Sequence, residues 1–269
     1  MSHRAQSRCF IHLSTTFEMT KHQLHNKIRK RTVMKKWIIT AFVGLATLSL
    51  TAQKVIEKNF SYSGQSIDLE VKFASQIDVK TWDKSTVYFK ADITTEDGKY
   101  LNLYKLDIDE SSSSIRIASN VKAIFQAFKD EWDKTHSNKK GYYFSGETYE
   151  FNYVLYVPKG ATFKISSING DLKSDVIEGD FTADLINGDI EIKKYSGDME
   201  LKTINGAIDL VMKNTKLEAQ TLNGSIYADE KMNLRSDDRM VGQKVVGSFG
   251  DAAHRLKLNT INGDMFLRL

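Results

Sequence analysis

The chain has 269 residues, 41% of them hydrophobic, with one cysteine and one proline, so one ordinary domain or two small ones fit its length. Its formal net charge of +4 would on its own suggest an acidic partner such as nucleic acid. The excess of basic residues lies in the N-terminal segment, where nine Lys or Arg and one acidic residue precede residue 53. The remainder holds 29 basic and 33 acidic residues, which argues against a nucleic-acid-binding surface.

Residues 34–53 have the pattern of a secretory signal peptide. Two lysines precede an apolar run from Trp37 to Leu50, and small residues then end at Ala52. The run spans 14 residues, fewer than the roughly 20 that a membrane-spanning helix needs. We therefore expect cleavage, no stable membrane span afterwards, and export to the periplasm, the outer cell surface or the medium. We expect residues 1–33, which are basic and lack apolar periodicity, to be an upstream over-reading of the gene.

Residues 54–160 have the pattern of β-strands with one helical insert. Segments such as STVYFKADIT and YEFNYVLYV alternate apolar and polar residues and are rich in β-branched and aromatic side chains. Near residues 121–134, apolar residues instead recur at spacings of three, four and seven. That spacing predicts a short amphipathic helix.

From Thr162 onward the sequence repeats every nine residues without a gap. The successive nines are TFKISSING, DLKSDVIEG, DFTADLING, DIEIKKYSG, DMELKTING, AIDLVMKNT and KLEAQTLNG. The second and fourth positions are apolar or small and the seventh is mostly Ile, Leu or Tyr, so we expect these three to face inward. Because a continuous strand would bury positions two, four and six, this phase change predicts a corner inside each nine.

An Asn-Gly pair recurs every 18 residues through the first part of the repeats, which makes the structural unit two nines long. The pairs are Asn169 and Gly170, Asn187 and Gly188, Asn205 and Gly206, Asn223 and Gly224, and Asn262 and Gly263. We expect each Gly to adopt a positive φ and each Asn to share hydrogen bonds with the next Asn along a turn ladder. Because the last two pairs are 39 residues apart, we expect a degenerate coil with a small insertion between them.

These patterns predict an all-β chain. Residues 161–269 are expected to form a single-stranded β-solenoid, similar to a β-helix, with about 18 residues per coil, preceded by β-strands and the helical insert. An antiparallel meander is the alternative, because Asn-Gly also favours hairpin turns.

The final DMFLRL repeats the start of a nine, with Met265 and Leu267 inward. We expect this strand to pack on the preceding coil, with its outer edge shielded by the insertion.

The sequence offers little for catalysis or metal binding. Its only cysteine, Cys9, precedes the expected cleavage site, and two histidines follow that site. An Asp follows Gly in several nines, as in calcium repeats of the GGxGxD type, but here there is one Gly and the Asp follows it immediately. We therefore expect no catalytic residues, no metal and no cofactor. Carboxylate pairs keep a polysaccharide-cleaving enzyme open as an alternative.

Aromatic residues are concentrated between residues 125 and 156. In one interpretation Tyr149, Phe151 and Tyr153 lie on one face of a buried strand, and the helix packs on the solenoid. In the other, the region is a partner-binding lobe, because aromatic side chains dominate binding hot spots. The candidate binding residues are Phe125, Phe128, Trp132, Tyr142 and Tyr143.

Three segments carry a likeness to a known family: IDVKTWDKSTVYFKADI, YVLYVPKGATFKI and VGSFGDAAHRLKLNTINGDMFLRL. With the repeated T-x-N-G units, they resemble the bacterial putative adhesin family of exported β-solenoids, related to the head GIN domains. The likeness covers about residues 55–269 and implies a non-enzymatic cell-envelope or secreted protein that binds an unknown surface partner, either protein or glycan. We expect a monomer. The alternatives are a polysaccharide-acting enzyme and a periplasmic accessory protein of the envelope.

Overall fold

The computed structural model describes residues 53–136, 148–237 and 241–269. The predicted over-reading at 1–33 and the predicted signal peptide, apart from Gln53, lie outside the described residues. Strands make up most of the described chain, and this confirms the all-β class. The helix α1, Lys122–Thr135, lies where the helical insert was predicted. Within the described ranges, no helix has the length and apolar character that crossing a membrane requires.

The described strands number nineteen. In chain order they are β1 (Gln53–Ser61), β2 (Ser66–Glu70), β3 (Phe73–Trp82), β4 (Thr86–Thr95), β5 (Lys105–Glu110), β6 (Ser114–Asn120), β7 (Tyr149–Pro158), β8 (Ala161–Ser174), β9 (Ile177–Asn187), β10 (Ile190–Ile192), β11 (Tyr195–Ser196), β12 (Met199–Asn205), β13 (Ile208–Val211), β14 (Thr215–Asn223), β15 (Ile226–Ala228), β16 (Arg235–Asp237), β17 (Gln243–Ser248), β18 (His254–Asn262) and β19 (Met265–Arg268). Short 3₁₀ helices lie at Glu96–Gly98, Leu101–Leu103 and Glu230–Met232.

The strands form one large mixed sheet, in which all strands except the two-residue β11 lie in two strips of hydrogen-bonded neighbours, and β11 pairs with β9. The first strip has the order β5-β6-β2-β8-β9-β12-β18-β14-β17-β16. The second strip has the order β1-β4-β7-β3-β8-β10-β13-β19-β15. The long strand β8 belongs to both, because its two halves pair with different strands. Both strips cross the predicted boundary at residue 160, so the front strands and the repeats share one sheet.

Consecutive repeats pair in parallel and in register. Phe163 pairs with Phe181, and Phe181 with Met199, at separations of 18 residues. In the second strip Ile190 pairs with Ile208 at the same separation. Equivalent residues therefore lie side by side and form columns across the sheet. This parallel pairing also excludes the antiparallel meander for these strands.

The last repeat in the sequence is not the last in the sheet. β18 pairs with β12 on one side and with β14 on the other, and β19 lies in the same way between β13 and β15. Leu256 thus lies between Met199 and Leu217. The expected packing of the terminal strand on the preceding repeat is confirmed, because β19 pairs with β15, but the expectation that the insertion shields its outer edge is wrong, because β13 covers that edge.

The segment between β15 and β18 does not form the expected degenerate coil. β17 pairs antiparallel with β14, and β16 pairs antiparallel with β17. The outermost strand, β16, is only three residues long and carries Arg235 and Asp237. A short charged strand is a common protection for a sheet edge. The segment therefore shields an edge, as expected, but the edge belongs to β14 and not to β19.

Burial distinguishes the positions within each nine. Residues at the second and fourth positions are buried in the nines from Thr162 to Gly224 and in those that begin at Arg255 and Asp264, as predicted, whereas the equivalent Ile226 and Ala228 on β15 are half-buried and exposed. In the nines that end in Asn-Gly, however, the sixth residue faces inward and the seventh faces solvent. The inward residues are Ser167, Leu185, Thr203, Thr221 and Thr260. The seventh-position prediction is wrong for these nines, because the strand runs straight to the Asn and its side chains keep alternating. It holds at Ile177 and Tyr195, where a corner precedes the residue.

A pair of substitutions on β12 tests this assignment. Leu201 is 0% exposed and Ile204 is 39% exposed. Replacing Leu201 by Ala is expected to lower the free energy of unfolding by about 2 to 5 kcal/mol, whereas Ile204→Ala should cost less than about 1 kcal/mol. Urea denaturation of both variants measures the difference. Equal losses would contradict the outward orientation of the seventh position.

Candidate interaction surface

Five Asn side chains form one column of hydrogen bonds, the Asn ladder, at the ends of the first-strip strands. The Nδ2 atoms of Asn187, Asn205, Asn262 and Asn223 donate to the Oδ1 atoms of Asn169, Asn187, Asn205 and Asn262, at 2.9, 2.7, 2.7 and 2.9 Å. Along the sheet the order is 169, 187, 205, 262 and 223, which follows the strand order. The last repeat in sequence therefore supplies the fourth rung of the ladder.

The Gly after each Asn lets neighbouring backbones approach closely. A Cβ at Gly206 would lie 2.0 Å from the carbonyl oxygen of Gly188, and one at Gly263 would lie 2.0 Å from that of Gly206. Of the five Asn-Gly glycines only Gly170 has a positive φ, of 116°. The expected positive φ is therefore wrong at the other four. Their requirement is steric, because the adjacent backbone occupies the position of a side chain.

The inward Thr residues satisfy these glycine carbonyls. Thr203 Oγ1 donates to the carbonyl oxygen of Gly188 at 3.0 Å, and Thr260 Oγ1 donates to that of Gly206 at 3.1 Å. Thr221 makes the equivalent bond one repeat further along the sheet. A hydroxyl at the sixth position is thus both buried and hydrogen-bonded, and it links each repeat to its neighbour.

The Asp that follows Gly bonds to the backbone of the adjacent repeat. Asp171 Oδ1 accepts a hydrogen bond from the Asp189 amide at 3.0 Å, and Asp189 Oδ1 accepts one from the Ala207 amide at 2.7 Å. Asp198 accepts bonds from the backbone amide, Nε and Nη2 of Arg255 at 2.9, 3.0 and 2.8 Å. These bonds lower the pKa of Asp198. Over the described residues, no group of three or more potential metal ligands occurs.

Lowering the pH is expected to break the ion pair between Asp198 and Arg255, because the carboxyl becomes protonated. A carboxyl whose folded-state pKa is depressed stabilises the fold fully above its unfolded pKa of about 4, and loses this effect as the pH falls through the folded value. The variant Arg255→Gln should therefore lose less stability than the unchanged protein between about pH 5 and pH 2. Urea midpoints across that range measure this, with Lys216→Gln as a control. Parallel pH profiles for the Arg255 variant and the unchanged protein would contradict the assignment.

The aromatic residues predicted to bind a partner make extensive intramolecular contacts. Phe128 is 3% exposed and packs edge-on against Tyr100, with ring centroids 5.0 Å apart. Phe125 packs edge-on against Phe73 at 4.8 Å. Trp132 stacks on the ring of its helix neighbour His136 at 3.7 Å. Tyr142 and Tyr143 lie outside the described residues. Phe125 and Phe128 thus join α1 to the end of the core.

The seventh-position residues of the Asn-Gly nines form an outward-facing row, the apolar column, which is half-buried at Ile168 and exposed at the other four positions. It comprises Ile168, Ile186, Ile204, Ile261 and Leu222, and the last four are 39%, 39%, 42% and 43% exposed. Neighbouring members are separated by the strand spacing of about 4.8 Å. Two residues earlier on each strand, the outward side chains are polar or charged. Lys202, two residues before Ile204, binds Glu200 at 2.8 Å, and Lys257 on the adjacent strand binds the same carboxylate at 3.2 Å.

Three half-buried aromatic residues form a second cluster, the aromatic triad, of which only Tyr156 lies in the aromatic-rich region 125–156 and none is among the five predicted binding residues. Trp82, Tyr88 and Tyr156 lie on the outward face of β3, β4 and β7. The ring centroid of Tyr156 is 4.9 Å from that of Trp82 and 5.8 Å from that of Tyr88. Strand alternation could have indicated that Tyr88 and Tyr156 face outward. Tyr88 is adjacent to the fully buried Phe89, and Tyr156 is adjacent to the fully buried Leu155.

A groove of about 320 Å³ adjoins the triad at Tyr156. Its charged lining consists of Asp78, Asp175, Glu191, Lys80, Lys173 and Lys193. Lys193 Nζ donates to Asp175 Oδ1 at 2.9 Å, and this bond lowers the pKa of the carboxyl and raises that of the amine. The groove therefore carries three carboxylates and three ammonium groups, whose formal charges balance.

A larger cavity of about 930 Å³ lies beside α1, between the helix and strands of the first strip. Its wall combines Phe73, Phe125 and Ile168 with charged residues that include Glu70 and Arg116. Lys72 and Arg116 bind Glu70 at 3.1 and 2.9 Å. These two cations, Lys72 first, lower the pKa of Glu70, so its carboxyl is held ionised.

No protein-family model and no curated protein matches the chain. The solved structure of a putative cell adhesion protein from Clostridium sporogenes is similar to it, with a TM-score of 0.51 and 10% sequence identity over 80% of this chain and 99% of that one. A putative adhesin from Parabacteroides merdae has a TM-score of 0.27 at 13% identity, over 65% of this chain and 69% of that one. A putative lipid binding protein from Parabacteroides distasonis has a TM-score of 0.23 at 11% identity, over 79% and 96%. The Clostridium likeness shows a shared fold, and the other two carry no argument.

Proposed function

We propose that the chain is a non-enzymatic exported protein of the cell envelope or cell surface, an adhesin-like scaffold that binds a surface partner. In this proposal the repeats within residues 161–269 form a β-solenoid with about 18 residues per coil, single-stranded as far as Val211, with the last repeat inserted between β12 and β14. The observation that carries the proposal is the parallel register, in which equivalent residues of the repeats pair directly. Such pairing turns every outward position into a column, and columns suit contact with an extended partner better than enclosure of a small substrate.

The fold and the sequence supply separate support. The likeness to the Clostridium sporogenes structure supports the fold, and that protein's name suggests, for this chain too, a role in adhesion. Export rests on the signal-peptide pattern in residues 34–53. The periplasm, the outer surface and the medium all agree with that pattern. We propose a monomer whose partner is a protein or a glycan.

The carboxyl groups favour binding over hydrolysis. A glycoside hydrolase keeps one carboxylic acid protonated near neutral pH by raising its pKa. Where the described residues shift a carboxyl pKa clearly, the shift is downward. The carboxyl groups concerned are those of Glu70, Glu131, Asp175, Asp198 and Glu200. Each of them is paired with a Lys or Arg and is suited to holding structure together.

Two measurements test the proposal. Surface protease treatment and fractionation of expressing bacteria should place the protein outside the cytoplasm, and beads coated with the purified protein should adhere to cells, matrix proteins or glycans above beads coated with an unrelated β-sheet protein. Reducing ends released from a polysaccharide panel would favour the enzyme instead. Protection from protease in intact cells, together with no bead adhesion, would favour a periplasmic accessory role.

A further inference from the structure

The aromatic triad and the adjoining groove form one continuous surface on the second strip. Tyr156 belongs to both, since it packs against Trp82 and also lines the groove. Its position is fixed by the sheet, where it pairs with Tyr88 on β4 and with Lys80 on β3. A ligand in the groove would therefore contact an aromatic ring on one side and charged groups on the others.

Two lysine side chains lie close to the rings of the triad. Lys84 Nζ lies 4.5 Å from the ring centroid of Trp82, and Lys80 Nζ lies 5.9 Å from that of Tyr156. Cation–π contacts at exposed sites are weak, so a ligand can displace these lysines at small cost. The indole is held more firmly, because Trp82 Nε1 donates to the carbonyl oxygen of Thr86 at 2.7 Å. The aromatic surface is thus partly preorganised.

The charges of the groove restrict the class of ligand. Three carboxylates and three ammonium groups give no net attraction for a polyanion or a polycation. A nucleic acid, which depends on an excess of Lys and Arg, is disfavoured on this ground. An apolar chain is disfavoured because it would desolvate six charged groups without replacing their hydrogen bonds. The donors and acceptors suit a ligand that is uncharged and carries many hydroxyl groups.

Sugar rings meet both requirements. Their C–H faces pack on aromatic rings, and their hydroxyl groups both donate and accept hydrogen bonds. The groove volume of about 320 Å³ lies at the lower end of the usual range for ligand sites, so it suits a short segment of a longer chain. We propose that this surface binds a neutral glycan, with one sugar ring stacked on Tyr156 and its hydroxyl groups bonded to Asp175 and Lys193. This inference rests on the proposed function, for which it names the ligand class.

The test uses the whole exported protein and defined probes. Isothermal titration with cello-, malto-, manno-, xylo- and chitohexaose should detect binding of at least one, while heparin and polygalacturonate should bind more weakly or not at all. Tyr156→Ala should weaken the binding by about tenfold or more, because it removes the stacking ring. Tyr156→Phe should retain it within about twofold, since the ring remains. Tyr227→Ala is the matched control, because Tyr227 is 53% exposed at the other end of the second strip. Unchanged melting temperatures show that the variants are folded.

Three outcomes would overturn the inference: no hexasaccharide binds, an anionic polysaccharide binds more tightly, or Tyr156→Ala binds as well as the unchanged protein. If any of these occurs while coated beads still adhere to cells or matrix, the scaffold function stands and only the ligand class or site is wrong. If the beads also fail to adhere, the proposed function fails as well.

Discussion

Deletion of residues 254–269 is expected to unfold much of the repeat region and not merely to shorten it. β18 and β19 lie between four strands, so their loss leaves β12, β13, β14 and β15 each without one partner. It also removes the buried side chains of Leu256, Leu258, Met265 and Leu267. Each such side chain contributes about 1.5 to 3 kcal/mol, and together they rival the roughly 5 to 15 kcal/mol total stability of a domain. We expect the cooperative transition in circular dichroism to be lost or shifted down by about 20 °C or more.

One rearrangement could limit this loss. Met199 and Leu217 are 18 residues apart in the sequence, so β14 has the spacing to pair directly with β12 once β18 is gone. That pairing would set Glu218 against Glu200, where the cationic Lys257 now lies. Like charges placed directly opposite each other destabilise a strand pair. Deletion of Leu269 alone, which is 55% exposed, is the control and should change little. A deletion variant lacking 254–269 that melts like the full chain would show that the inserted repeat contributes nothing.

Substitution of Gly206 by Ala is expected to cost at least about 3 kcal/mol of unfolding free energy, more than a typical overpacking mutation. The new Cβ would lie 2.0 Å from the carbonyl oxygen of Gly188 and 2.6 Å from its carbonyl carbon. Both atoms belong to the backbone of the adjacent repeat, so relief requires the strands to separate. Separation would also weaken the bonds of Asn205 and Thr203 to the same neighbouring repeat.

Gly64→Ala is the matched control for backbone conformation. Gly64 has a φ of 105°, and a Cβ there would meet no atom within 4 Å. Its replacement carries only the strain of a side chain at positive φ, about 1 to 2 kcal/mol. Gly206 has no positive φ but a severe clash, so Gly206→Ala should be clearly the worse of the two in urea denaturation. The reverse ranking would show that dihedral strain, and not backbone approach, decides where glycine is required.

Part of the fold could be predicted from the sequence, because the spacing of apolar residues along the chain reflects local structure. The second and fourth positions of the nines face inward because period-two alternation holds in every strand. The helix α1 was visible because apolar residues at helical spacing interrupt that alternation. The seventh position of the Asn-Gly nines was wrongly predicted to face inward, because Ile is favoured in strands whether or not its side chain is buried. The inward sixth position is often Thr, whose hydroxyl is satisfied by a glycine carbonyl, as in Thr203.

The place of the last repeat in the strand order depends on long-range pairing and could not be predicted from the 18-residue repeat spacing. The 18-residue spacing continues from Met199 to Leu217 even though another repeat lies between them. Charge gave the only local hint. Arg255 and Lys257 on β18 meet Asp198 and Glu200 at the start of β12, whereas β14 would bring a second Glu to that edge.

The aromatic triad in the candidate site could not be predicted from the sequence either, because its formation depends on strand pairing. Trp82 and Tyr88 lie on consecutive strands, but Tyr156 comes from a strand far away in the sequence, and only the pairing of β7 with both β3 and β4 brings it to them. The density of aromatic residues along the chain indicated the region 125–156 instead. That density marks a region of packing, because Phe128, Phe151 and Tyr153 are all buried.

Disulfide trapping tests the strand order, on which the proposed solenoid and its inserted repeat depend. In a Cys9→Ser background, the pairs Glu200→Cys with Lys257→Cys, and Glu218→Cys with Lys257→Cys, join directly paired positions. Their Cα atoms are separated by about 4.8 Å, whereas Glu200 and Glu218 are two strand spacings apart, about 9.6 Å, beyond the roughly 7 Å reach of a disulfide. Under mild oxidation the first two pairs should cross-link within one molecule, and the pair Glu200→Cys with Glu218→Cys should not. Cross-linking of that third pair without the other two would contradict the account, because it would place β14 directly beside β12.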